Sequence, residues 1–236
     1  MQTIGLLFKV LWSPGEAMFL ISKNPRVLVP ILFSCLVSFA TGTVMVTKLD
    51  LAELTIRQIE RSPQGANFSD QQKDLMRQQM RSPVVKGLTF VSTAVTPVVI
   101  IFVVALIYFA LFTILGREGG FKSFVSITAF AFIPLIFRQL AALISAYFLP
   151  SSAIMLDELG SLSPAVFLDR DSMSPVLFTA VGSFDLVSIW ILALLIIGYG
   201  FVTRKSLSKG VRAATVIGVF LVYVALRLAF AAVRGV

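Results

Sequence analysis

The chain contains no histidine. That removes the commonest side chain that titrates near neutral pH, and the commonest metal ligand. The single cysteine, Cys35, lies in an apolar run. An intramolecular disulfide and a thiolate metal cluster are both excluded. Charge is scarce: 14% of residues are charged, against about 25% in an ordinary soluble domain. Acids are scarcer than bases, 12 against 20. Asp157 and Glu158 are adjacent, but no two acids share an apolar stretch. The glycine-rich turn Gly116–Gly120 lacks the spacing and the following Lys-Ser/Thr of a phosphate-binding loop. No nucleophile, base and orienting group can be assembled, so no catalytic residue, cofactor or metal is expected.

What the chain has is length of apolar sequence. Hydrophobic residues make up 57% of it, and mean hydropathy is +0.92. Five stretches are long enough to cross a bilayer, which takes roughly 20 helical residues. They fall at about 27–47, 87–116, 121–149, 174–203 and 213–233. The expected fold is therefore a single all-α multi-pass membrane domain. The net charge of +8 does not call for nucleic acid, because the basic residues mark the ends of spans.

Residues 1–24 read as interfacial helices. They do not read as a cleavable signal peptide, having one lysine ahead of Pro14 and no small-residue cleavage site. Ser13-Pro14-Gly15-Glu16 has the pattern of a capping box that opens the second of these helices. Residues 48–82 read as a helical hairpin outside the membrane. Leu49, Ala52, Ile56 and Ile59 line one face of its first helix. Ser62-Pro63-Gln64-Gly65 breaks the pattern. A second capping box, Ser69 to Gln72, opens a helix with Leu75, Met76 and Met80 on its apolar side. Pro97 and Pro134 fall inside spans and predict bends, since a proline ring removes one helix hydrogen bond. Ser163-Pro164 predicts a short helix on the membrane in the acidic outer loop. Gly198 and Gly200 are candidates for close helix contact.

Flanking charge sets an expected orientation. Arg204, Lys205, Lys209 and Arg212 follow the fourth span with no acid among them, whereas Asp157, Glu158, Asp169 and Asp171 precede it. The short basic side is expected in the cytoplasm. A cytoplasmic N-terminus and five spans leave the C-terminus outside, as in a bacterial inner-membrane protein.

Three ionisable residues lie within spans: Arg138, Asp185 and Arg227. A charge in hydrocarbon is costly unless paired or wetted. Counted from the outer ends at about 1.5 Å per residue, the three reach comparable depths. Asp185 is expected to pair with Arg138, Arg227 or both, with Gln139 and Ser183 adding hydrogen bonds. Two readings follow. The cluster is a polar clasp that fixes helix packing, or a site for an ion, a proton, or an anionic lipid or solute.

The chain resembles the Yip-one domain family of integral membrane proteins. The resemblance rests on Trp12-Ser13-Pro14, on Gly119-Gly120-Phe121-Lys122 leading to Ile133-Pro134, on Phe184-Asp185 with Trp190, and on Gly198 and Gly200 before the basic turn. It implies a five-span plan and a role in contacts with other proteins. Eukaryotic members bind Rab-type GTPases, partly through a long polar N-terminal region. The present sequence lacks that region and is similar to the compact prokaryotic members, so GTPase binding is not carried over. The expected function is a non-enzymatic scaffold or adaptor whose partners are the bilayer, other membrane proteins or anionic lipids. The alternative is a small transporter or channel for an anion or lipid, centred on the Arg/Asp/Arg cluster.

Overall fold

The computed structural model describes residues 3–60, 65, 67–116, 119–150, 154–156, 159–169, 172–203 and 207–234. The expected break at Ser62-Pro63-Gln64, the turn residues Arg117 and Glu118, the acids Asp157, Glu158 and Asp171, and the topology markers Arg204 and Lys205 lie outside them. Eleven α-helices are present among the described residues: α1 (Thr3–Trp12), α2 (Pro14–Lys23), α3 (Leu28–Lys48), α4 (Leu51–Glu60), α5 (Asp70–Arg81), α6 (Pro83–Ile114), α7 (Phe121–Ala131), α8 (Leu135–Phe148), α9 (Pro175–Ser183), α10 (Leu186–Val202) and α11 (Lys209–Arg234). Four stretches are long and apolar enough to cross a membrane: α3, α6, α7 with α8, and α11. The pair α9 and α10 qualifies as a fifth when taken together. The fold is that of an all-α multi-pass membrane protein.

The helices begin and end where side chains satisfy orphaned backbone groups. At α5, Gln72 N donates to Ser69 Oγ at 3.3 Å and Ser69 N donates to Gln72 Oε1 at 2.8 Å, so the capping box forms in full. Ser174 Oγ accepts from Leu177 N ahead of α9, and Ser208 Oγ from Val211 N ahead of α11. Ser163 caps a four-residue 3₁₀ helix, Pro164–Phe167. The box at Ser13 does not form. Its side chain caps no backbone N–H and instead donates to Glu16 Oε2 at 3.5 Å, while Glu16 also forms an ion pair with Lys9 of the preceding helix. α6 starts at Pro83, directly after Ser82 and ahead of the charge-free run from Gly87, and α11 starts at Lys209, ahead of the apolar run from Ala213.

Prolines 97 and 134 behave differently. α6 continues through Pro97 without interruption. α7 stops at Ala131, residues 132–134 form a turn, and α8 resumes at Leu135. Pro134 lies just ahead of α8, where a missing N–H is least harmful.

The chain divides into two compact units. Unit 1 comprises Met1–Val37, Val95–Ile136 and Val187–Val222. Its core shows why α1 and α2 are more than a surface layer. Val10, Met18 and Ile21 are fully buried in it, while Ile4, Phe8 and Trp12, spaced at four residues, remain exposed on the other side of α1. The α2–α3 linker is fastened by Ser126, whose hydroxyl accepts from Arg26 N and donates to Arg26 O, both at 2.9 Å. At the centre, Tyr199 stacks on Phe124 with ring centroids 5.0 Å apart, and its hydroxyl shares a 2.6 Å hydrogen bond with Thr128. Gly198 lies against Ile127, where any Cβ would collide. It is the close-contact glycine of the pair. Gly200 has room beside it, and its carbonyl accepts from Arg212 Nη1 at 2.6 Å.

Unit 2 comprises Ser38–Ala94, Phe137–Leu186 and Tyr223–Val236. It holds the α4–α5 hairpin, whose helices are joined by a ladder of ion pairs: Asp50–Arg81, Glu53–Arg77 at 3.2 Å and Glu60–Lys73 at 3.0 Å. Ala52, Leu54 and Ile56 of α4 are buried. No residue of α5 is buried, and the expected apolar stripe there leaves Leu75 exposed. The ladder of ion pairs links α5 to α4. Gly42 of α3 lies against Thr93 of α6 with no space for a Cβ.

Candidate functional site

Every residue of the expected polar cluster belongs to unit 2. Asp185 is 1% exposed, but it is not inside a helix. α9 ends at Ser183 and α10 begins at Leu186, so Asp185 occupies the position just before α10. Aspartate is favoured at a helix N-cap, where its carboxylate also meets the positive end of the helix dipole. A sequence of thirty nearly uncharged residues reads as one continuous span. The helix is interrupted at Phe184-Asp185, and the Asp185 carboxylate meets Arg138.

The carboxylate of Asp185 forms an ion pair with Arg138 of α8, Oδ2 against Nη2. One residue on, Gln139 points to α3. Its Nε2 donates to Ser38 Oγ at 2.9 Å, and its Oε1 accepts from Thr41 Oγ1 at 3.3 Å. Both ends of the amide are thus engaged. Ser183, 2% exposed, donates to Thr179 O at 2.7 Å and accepts from Arg227 Nη1 of α11 at 3.3 Å. The structure therefore brings Arg138 to Asp185, and Arg227 to Ser183. Arg227 is in no ion pair among the described residues. It is exposed, and its guanidinium lies over the Tyr223 ring, 5.9 Å from the centroid, within cation–π range.

Sequence reasoning did not find Ser38, Thr41 and Tyr223. All are ordinary residues of membrane helices, and only their register against Gln139 and Arg227 distinguishes them. It also missed a part played by the loop between α8 and α9. Gly160, at φ +74°, lies against the Arg138 carbonyl and Ala142, where no Cβ fits. Leu186 N donates to Leu162 O at the break, and Ile154, Ser163 and Ala165 are buried. The loop is packed onto α8 and onto the end of α9. Gly160, between Leu159 and Ser161, and the Ser163-Pro164 pair were the local signals in this loop.

Chemically, the arrangement holds one carboxylate, two guanidinium groups, one amide and four hydroxyls. Formal charge sums to +1 over Arg138, Asp185 and Arg227. No group of three or more His, Cys, Asp or Glu side chains converges on a metal-sized site among the described residues. Pro97 and Pro134 belong to unit 1 and take no part in the cluster.

No curated protein and no solved structure matches the chain. The Yip1 domain model matches residues 8–229, which takes in all eleven helices in whole or in part. With nearly the whole chain matched, and with apolar helices enough for four or five spans, this multi-pass membrane protein belongs to the Yip1 domain family.

Proposed function

We propose that the chain is a non-enzymatic membrane adaptor, a scaffold that works through contacts with other membrane proteins or with lipids. The observation that carries this reading is the internal pairing of the polar cluster. Asp185, the only acid within any span, is neutralised by Arg138, and Gln139 engages α3 at both ends of its amide. A cluster whose polar groups answer one another acts as a clasp between helices. The exposed apolar surfaces of α6 and α11 are then available to partners. The orientation that goes with this reading has the N-terminus in the cytoplasm.

A second reading draws on two features. The fourth span is broken at Phe184-Asp185, and discontinuous helices form the substrate sites of many transporters. The cluster also carries a surplus positive charge, which would suit an anion or an anionic lipid. Affinity purification in mild detergent separates the two. The adaptor reading expects a membrane protein in stoichiometric amount, recovered again after the order of tag and bait is reversed. A co-purified small anion or lipid with no protein partner would support transport instead.

A further inference from the structure

Among the described residues, Arg227 is the charged side chain of the cluster that forms no ion pair. It is exposed on α11. A guanidinium in hydrocarbon is costly. Long basic side chains usually escape by reaching along their helix toward the nearer interface. Arg227 does not. Its nearer helix end is Arg234, seven residues or about 10 Å away. Yet the guanidinium is turned the other way, over Tyr223 one turn back, and is tethered to Ser183 Oγ. The charge is held back from the helix end, between Tyr223 and Ser183. Tyr223, Leu226 and Phe230 beside it are exposed and apolar.

The geometry decides among the anions that could meet it. A lipid phosphate lies at the interface, toward the end of α11 from which the side chain turns away. A second copy of this chain has no acid to offer, because Asp185 is the only one in its spans and is buried against Arg138. A carboxylate on a neighbouring transmembrane helix can sit at the right depth. We propose that α11 docks a transmembrane helix of a different protein through an Asp or Glu that pairs with Arg227, with Tyr223, Leu226 and Phe230 packing around the pair. This rests on the adaptor reading and names the chemistry of the partner.

The test uses the full-length protein in phosphatidylcholine vesicles with a labelled transmembrane peptide of leucine and alanine. The peptide carries one Asp about 10 Å from its outer end, and matched peptides carry Asn or Ala there. Energy transfer between protein and peptide reports association. Polar contacts between membrane helices are worth about 1 kcal/mol, so the Asp peptide is expected to associate about fivefold more tightly than the Ala peptide. That preference should vanish in Arg227→Gln and survive in Arg227→Lys, which keeps the charge should the glutamine variant fail to fold. Equal association of the Asp and Ala peptides with wild type would overturn the proposal. So would loss of the preference when phosphatidylglycerol replaces part of the phosphatidylcholine, because Arg227 would then be a lipid site. Failure here leaves the adaptor reading to the purification experiment. Arg227-dependent capture of the peptide without a stoichiometric natural partner would reject the adaptor reading instead.

Discussion

Arg138 and Asp185 show what a single charge requires in an apolar bundle. Asp185 is buried and sits ahead of α10, so its carboxylate has two sources of stabilisation, the Arg138 guanidinium and the start of the helix. Removing one partner of a buried pair leaves the other uncompensated, at about 3–5 kcal/mol. Arg138 is partly exposed at its side chain, which places the expected loss near the lower end, about 3 kcal/mol. Asp185→Asn and Arg138→Gln should each lower the unfolding midpoint in detergent. Asn keeps the capping ability of Asp, so the Asn change isolates the charge. The double variant, with a neutral amide facing a neutral amide, should recover most of the loss. That recovery is the mark of a clasp. Two single variants as stable as wild type, or losses that simply add in the double, would mean that the pair does not hold the helices together.

At the scale of elements, the α4–α5 hairpin is held in an unusual way for two amphipathic helices. α4 buries Ala52, Leu54 and Ile56, whereas no residue of α5 is fully buried, and ion pairs link the two helices. Exposed pairs are individually weak, about 0.2–1 kcal/mol, and are screened by salt. Three in a row along one seam fix register more than they add stability. The hydrogen bond from Arg81 holds the Asp50 carboxyl below the usual carboxylate range. A group depressed in the folded state contributes stability above its unfolded value, and that contribution is lost as pH falls through the folded one. The hairpin should therefore keep constant amide-exchange protection between pH 6 and pH 8 and lose it below about pH 4, first in α5, none of whose residues is buried. Raised salt at neutral pH should act in the same direction. Arg81→Gln should lessen the acid sensitivity. Protection in α5 that is indifferent to both acid and salt would show that something other than the ladder fixes it.

For the whole molecule, the parts legible in the sequence were those governed by local rules. Apolar length gave the spans, and Ser-Pro pairs gave several helix starts, because capping needs only neighbouring residues. The pairing of Asp185 with Arg138 was within reach because both are ionisable residues in apolar stretches. What could not be read was register between distant segments. Nothing local says that Gln139 meets Ser38 and Thr41, that Gly160 folds onto Arg138, or that α1 and α2 bury Val10 and Met18 in the core of unit 1. The break at Phe184-Asp185 was hidden for a related reason: apolar residues on both sides outweigh one aspartate in any hydropathy window. That break bears directly on topology. If α9 and α10 together form one span, the chain crosses five times, and if they form a re-entrant hairpin it crosses four times. The basic turn after α10 and the acids before α9 favour a crossing, since short loops rich in Lys and Arg are retained in the cytoplasm. Single cysteines at Asn67, Ser172 and Ser208, all exposed, decide the matter in a Cys35→Ala background. A membrane-impermeant maleimide applied from outside should label positions 67 and 172 and spare 208. Labelling of 172 and 208 from the same side would make α9–α10 re-entrant, bring both ends of the chain to one side, and place Asp185 at the tip of a loop entering the membrane.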